Sequence, residues 1–337
     1  MSARATQKTA KALTIRGPRP VTLGDWLAFA EKLYSREKLA LGQVATNAHD
    51  EALYLLMTVL GLPLDSDARV LKKKLTAAQS AAVEEVLRRR ALERVPAAYL
   101  TREAWLGGQR FYVDERVIIP RSYFVEIIAE QLDGWLRAPG KVKRVVDVCT
   151  GSGCLAILLA QHFPQAKVDA VDLSPDALDV AKINVAAHGL EKRVKLWASD
   201  VFDAVRAEGV KGKVKMKGKG NVDGSGEGAE TEWKYDVILS NPPYEPSAHV
   251  DAQAPEFAAE PRMAHDGGGD GLEIIRKLLR QARTRLTDEG IVLIEVGGLV
   301  AAMNKEFAVL EPHWLHTADG ADCVCVIHAA RLAAWWG

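Results

Sequence analysis

Cysteine is scarce, with four in 337 residues. That is too few for a disulfide framework and points to a reducing compartment. Cys149 and Cys154 do not combine with Cys323 and Cys325 in the pair spacing of a zinc site, so no metal is expected. Cys323 and Cys325 instead alternate on a strand-like run and should share a buried face. Net charge is also missing: Lys+Arg and Asp+Glu balance at 44 each. No global field steers the chain to nucleic acid, and any RNA contact has to be local. Long apolar runs are missing too. Residues 148–166 carry no formal charge, yet Gly, Gln, His and Pro interrupt them, so no membrane span is expected. The apolar stretch of a secretory signal is absent from the N-terminus, and the chain reads as cytoplasmic.

What is present is a large apolar fraction, 48%, and room for about two domains. Residues 1–24 hold Arg4, Lys8, Lys11, Arg16 and Arg19 and no acid. They read as a basic disordered tail, with a mitochondrial transit peptide as the other reading. Residues 25–103 have helical periodicity. Leu53, Leu56, Met57 and Leu60 recur at helical spacing, Thr76 can cap a helix through Arg90, and Gly61-Leu62-Pro63 breaks the pattern. This region reads as a helical domain that recognises substrate. Lys72-Lys73-Lys74 and Arg88-Arg89-Arg90 read as solvated faces, with a weak contact to ribosomal RNA as the alternative. Residues 104–120 read as a β-hairpin linker, with Gly107-Gly108 at the turn.

From residue 121 to 337 strands and helices alternate. Strands are expected at 145–148, 168–171, 194–197, 237–239 and 291–296, with helices at 175–188 and 272–286. That alternation predicts an α/β domain with a mainly parallel sheet, covered by helices on both faces and binding ligand at the carboxyl ends of its strands. Residues 210–232 break the pattern as a Lys/Gly-rich surface insertion.

Two loops carry the chemistry. Asp147-Val148-Cys149-Thr150-Gly151-Ser152-Gly153-Cys154 follows the first strand. Its glycines let the backbone turn tightly and come close to a ligand at the start of a helix. Asp172-Leu173 ends the second strand, where a carboxylate can accept from two ribose hydroxyls. Gly151-x-Gly153-x-x-Ala156 also satisfies a loose dinucleotide fingerprint. Asp147, however, would repel a pyrophosphate and suits a cationic amino-acid moiety. Asp200-Val201, after the third strand, offers a carboxylate and an apolar wall to an adenine edge. An ammonium, a sulfonium, a ribose diol and an adenine, in that order, make up S-adenosylmethionine. The other loop is Asn241-Pro242-Pro243-Tyr244, directly after the strand-like Tyr235-Asp236-Val237-Ile238-Leu239-Ser240. Two prolines cannot continue a strand. They leave free carbonyls beside an amide side chain and an aromatic ring, which suits a planar –C–NH2 group.

These segments resemble the protein-glutamine N-methyltransferases. The resemblance rests on Asp147-x-x-Thr150-Gly151-x-Gly153, on Val171-Asp172-Leu173-Ser174-Pro175, and on Ser240-Asn241-Pro242-Pro243-Tyr244. Of the two bacterial branches, one modifies release factors and the other large-subunit ribosomal protein L-three. The chain is closer to the second. Cys149-Thr150-Gly151-Ser152-Gly153-Cys154 resembles its glycine loop, and Asp50-Glu51-Ala52, Pro96-Ala97-Ala98-Tyr99-Leu100-Thr101 and Glu260-Pro261-Arg262 resemble other parts of it. The likeness spans about residues 25–329. It leaves out the basic tail and the Lys/Gly-rich insertion, and Tyr123 stands where the branch would have proline.

The resemblance implies a Rossmann-like class I methyltransferase sheet of seven strands, with an antiparallel strand near 323–327. It also implies that S-adenosylmethionine is held by Asp147, Cys149, Thr150, Gly151, Ser152, Gly153, Asp172, Leu173, Asp200, Val201 and Asn241. Asn241 and the Pro242 carbonyl would accept the two N–H bonds of a glutamine side chain, with Pro243 shaping the loop and Tyr244 packing on the amide plane. Other classes stay open: release-factor glutamine methylation, methylation of the exocyclic amine of adenine in nucleic acid, and a methyl-donor-binding ribosome-assembly factor with no catalysis.

Overall fold

The computed structural model describes residues 13–15, 17–205 and 234–335. The chain divides into two compact units: Met1–Arg121 with Asp251–Arg262, and Ser122–Val250 with Met263–Gly337. Most of the basic tail and the whole Lys/Gly-rich insertion lie outside the described residues. Among the described residues no helix is long and apolar enough to cross a membrane.

The first unit is helical. Helix α1 (Leu23–Glu37) opens at Thr22, whose hydroxyl accepts the Asp25 N–H at 3.1 Å while the Asp25 carboxylate accepts the Thr22 N–H at 2.8 Å. This reciprocal capping satisfies amides that the first turn leaves unpaired. Helix α2 (Ala48–Val59) is capped by Asn47, and α3 (Ala77–Leu92) by Thr76 at the predicted position. The short α4 (Ala97–Thr101) leads into a hairpin of β1 (Ala104–Leu106) and β2 (Gln109–Phe111), which turns at Gly107-Gly108. Trp26, Leu27, Leu55, Leu56, Val83 and Leu87 form the core of the helices. Leu53 and Leu60 lie at its margin, because the buried face of α2 runs through Ala52, Leu55 and Leu56.

One expectation fails here. Arg90 does not belong to a solvated face; it is fully buried, with Nε donating to Glu51 at 2.7 Å and Nη2 to the Ala40 carbonyl at 3.1 Å. Its guanidinium carbon also lies 5.4 Å from the centre of the Tyr34 ring. A run of arginines reads as surface because burying one is costly, and only a partner distant in sequence sustains it. Lys72, Lys73 and Lys74 are exposed.

The second unit is built on a seven-stranded sheet. Its strands are β3 (Arg144–Val148), β4 (Lys167–Asp172), β5 (Val194–Ala198), β6 (Tyr235–Ser240), β7 (Leu286–Glu295), β8 (His313–Leu315) and β9 (Val324–His328). They lie in the order β5-β4-β3-β6-β7-β9-β8. Pairing is parallel from β5 through β7, and β9 runs antiparallel to both β7 and β8. This is the seven-stranded, mostly parallel sheet that the resemblance implies, with its antiparallel strand beside Cys323. Strands β3, β4 and β6 are buried almost throughout, as a parallel sheet covered on both faces requires. Strand β8 was not foreseen, since three residues carry no periodicity.

Beyond β3 the chain winds outward to β4 and β5, then crosses to the other side to form β6 and β7. The reversal lies between β3 and β6, and a crevice opens at the carboxyl ends of strands at such a point.

Candidate active site

The register puts the predicted loops on one edge of the sheet. Val148 pairs with Val171 and with Ser240, Asp172 with Ala198, and Ser240 with Ile294. The segments beginning at Cys149, Leu173, Ser199, Asn241 and Glu295 therefore leave the same end. Cross-links hold them together. The Thr150 N–H donates to the Val171 carbonyl at 3.0 Å, the Ser199 N–H to the Asp172 carbonyl at 2.9 Å, and the Ser240 hydroxyl to the Val148 carbonyl at 2.7 Å.

The glycine loop follows from its backbone angles. Cys149, Gly151 and Gly153 all have positive φ, at 63°, 54° and 79°. At Gly153 a side chain would also meet Ala181 Cβ at 3.1 Å, so the loop packs directly on the helix Pro175–Ala187. Asn184 of that helix donates to the Ser152 carbonyl at 2.8 Å. Cys149 adopts a conformation that favours glycine, and burial pushes its thiol pKa up.

Asp147 is wholly buried below this loop. One carboxylate oxygen accepts the Thr150 hydroxyl at 2.6 Å and the Ala156 N–H at 3.0 Å, while the other, Oδ1, has no partner among the described residues. Burial is the largest influence on this group and raises its pKa to about 7. A buried carboxylate oxygen without a donor is uncommon, and a cationic donor would satisfy it. Asp172 accepts the Gly151 N–H at 2.8 Å and the Ser174 N–H at 2.9 Å, and burial raises its pKa as well. Next to it Leu173 is 57% exposed and supplies an apolar surface at the loop.

Asp200 and Val201 close this side. Val201 is buried with φ of 53°, and Lys277 holds the carboxylates of Asp200 and Asp203, each at 2.7 Å. The residues expected to hold S-adenosylmethionine thus occupy adjoining loops. Asp147 suits an ammonium, Asp172 a diol, and Leu173 with Val201 a flat apolar ring.

Asn241, Pro242, Pro243 and Tyr244 leave β6 beside the glycine loop. Pro242 is buried, while Asn241 and Tyr244 are half-buried. Glycines pack closely around the motif. A Cβ at Gly267 would stand 2.7 Å from the Pro243 carbonyl oxygen and 2.8 Å from Tyr244 Cα. One at Gly297 would stand 2.5 Å from Tyr244 Cε2.

Sequence reasoning missed Glu295. It ends β7, one position beyond the Ser240–Ile294 pair, and is only 3% exposed. Its carboxylate accepts the Ser122 hydroxyl at 2.5 Å and the Tyr123 N–H at 3.1 Å, fixing the segment that enters this unit. The signal available was an acid at the end of an apolar strand before Gly297-Gly298. The Tyr123 hydroxyl donates to Asp319 at 2.8 Å, a contact proline could not make.

The family model described as "Methyltransferase small domain" matches residues 126–214. A protein of Burkholderia pseudomallei named ribosomal protein uL3 glutamine methyltransferase is 42% identical over 318 residues, covering 93% of this chain and 96% of that one. A protein of the same name from Neisseria gonorrhoeae is 40% identical, covering 92% and 95%. A third, from Bradyrhizobium diazoefficiens, is 37% identical over 342 residues, covering 98% and 99%.

Proposed function

This chain belongs to the ribosomal protein uL3 glutamine methyltransferase family, and from that premise we propose that it methylates the side-chain amide nitrogen of a glutamine in ribosomal protein uL3. Its methyl donor is S-adenosylmethionine, which brings a methyl group already activated by the sulfonium. The reaction belongs in the cytoplasm, where ribosomal proteins are made.

One observation carries the reading. Asn241-Pro242-Pro243-Tyr244 leaves the sheet at the strand next to the glycine loop, tied to it through Ser240 and Val148. A carboxamide nitrogen is a poor nucleophile, because its lone pair is delocalised into the carbonyl. Two acceptors set at a fixed angle, the Asn241 side-chain oxygen and the Pro242 carbonyl, can take both of its N–H bonds. They orient the nitrogen and draw electron density toward it. Tyr244 covers the amide plane. Asp147 takes the donor's ammonium, Asp172 its ribose hydroxyls, and Leu173, Asp200 and Val201 its adenine. Placement of this kind supplies up to ~7–11 kcal/mol of a barrier, and fixed dipoles add to it. A newly N-methylated, protonated amide is a strong acid and sheds its proton without a tuned base.

The test is methyl transfer from labelled S-adenosylmethionine to unmodified uL3, a release factor and an adenine-containing oligonucleotide, side by side. Label on a uL3 glutamine is expected, and Asn241→Ala should lower it by about 10²–10³-fold. Label on the release factor alone would move the chain to the sister activity, and label on the oligonucleotide alone would overturn the substrate class.

A further inference from the structure

We infer that Asp266 is a positioning residue for methyl transfer, holding the glycine-rich segment 265–273 against the backbone of the amide-gripping loop. The inference rests on the proposed function in that it assigns the amide to Asn241–Tyr244.

All the residues concerned belong to the second unit. Directly after Tyr244 the chain pairs with residues 265–268 in a short ladder. The Glu245 N–H donates to the His265 carbonyl, the Gly267 N–H to the Glu245 carbonyl, and the Ser247 N–H to the Gly268 carbonyl, each at 2.9 Å. The Glu273 N–H then donates to the Gly267 carbonyl at 3.0 Å, which folds the glycines into a tight loop at the start of the helix Glu273–Arg285. This loop lies on the main chain of the motif. Gly267 has no room for a side chain against the Pro243 carbonyl and Tyr244 Cα, and a Cβ at Gly271 would collide with the Tyr244 carbonyl oxygen. Backbone therefore packs on backbone, with no flexible side chain between them to absorb a shift. If the loop moves, Pro243 and Tyr244 move with it.

The Asp266 side chain joins the parts of this arrangement. Its Oδ1 accepts the Ser247 hydroxyl at 2.6 Å and the Gly268 N–H at 3.0 Å. The first bond crosses the ladder to the strand that continues the motif. The second fixes the turn by which the chain enters the glycines. One oxygen thus sets both the register of the ladder and the direction of the loop. The loops assigned to the ammonium, ribose and adenine of the donor follow β3, β4 and β5, and Asp266 bonds to none of them in these two contacts. A misplacement of about 1 Å at a reacting group can cost about 100-fold in rate, so slack in the ladder should be felt at the amide and not in donor binding.

The experiment compares Asp266→Ala, Asp266→Asn and, as a control for general loss of stability, Tyr235→Phe, which removes a hydrogen bond at the start of the strand carrying the motif. Two readouts are taken on the full chain. Without substrate, hydrogen exchange at the Ser247 and Gly267 amides should be faster in Asp266→Ala and unchanged in Tyr235→Phe. With uL3, kcat of Asp266→Ala should fall about ten-fold or more, while the Kd for S-adenosylmethionine stays within about two-fold of wild type. Asp266→Asn keeps a side-chain oxygen that can accept from both donors, so it should restore kcat to within about three-fold of wild type. Wild-type exchange in Asp266→Ala, faster exchange with wild-type kcat, or an asparagine variant as impaired as the alanine one overturns the inference. Failure of the wild type to label uL3 would count against the proposed function, and the exchange rates would still decide whether Asp266 holds the loop. If Asp266→Ala fails to fold by circular dichroism, Ser247→Ala, which removes only the bond across the ladder, decides by the same readouts.

Discussion

Gly297 lies against the ring of Tyr244 so closely that a methyl group there would stand 2.5 Å from Cε2 and 3.0 Å from Cζ. Gly297 also has φ of 50°, so an alanine would be strained as well as crowded. The ring has to move if Gly297 becomes alanine. Methyl transfer by Gly297→Ala should fall at least about ten-fold, with S-adenosylmethionine binding changed far less, because the donor loops lie on other strands. Steady-state kinetics and calorimetric titration check this. Unchanged kcat in a folded variant would remove Tyr244 from the amide site.

Much of this site can be read from the chain, because its signals are local. The glycine loop, the acids ending β3 and β4, and the two prolines after β6 each announce themselves within a few residues. What escaped depends on partners far apart in sequence. Arg90 looks like one of three surface arginines until Glu51 is placed beside it. Glu295 looks like an ordinary strand end until Ser122 arrives. No local pattern separates residues 251–262 from their neighbours, since their place is set by Arg94 and Arg121.

The sheet holds one polar knot that the chemistry does not use. Asp169 on β4 is 1% exposed and accepts from the Tyr235 hydroxyl at 2.9 Å, Trp197 Nε1 at 2.8 Å and Arg144 Nε at 3.3 Å. It ties β3, β5 and β6 to β4, and two of its members, Arg144 and Tyr235, begin their strands at the end away from the loops. Tyr235→Phe removes one donor from a buried carboxylate and should cost about 1–3 kcal/mol of unfolding free energy. Urea titration measures it. The kcat should stay at the wild-type value, and a loss of activity without a loss of stability would show that this network reaches the site.

Asp147 gives the site a pH signature whose sign can be worked out. Burial raises its carboxyl pKa to about 7, against about 3.9 for an unfolded aspartate. Between those values the folded chain holds a proton that the unfolded chain has released. Its contribution to stability is therefore complete below about pH 4 and is lost as pH rises toward about 7. In the free protein, Asp147→Asn should flatten that decline, so that its melting temperature at pH 8 exceeds the wild-type value by a few degrees. Binding works the other way. A cationic ammonium at Oδ1 favours the carboxylate, so at pH 6 the wild type should release close to one proton on taking up S-adenosylmethionine. Titration calorimetry in buffers of different ionisation enthalpy counts that proton. Asp147→Asn should release none and bind at least about ten-fold more weakly. If the wild type releases no proton at pH 6, Asp147 does not hold the ammonium, and the partner of its unpaired oxygen has to be sought elsewhere.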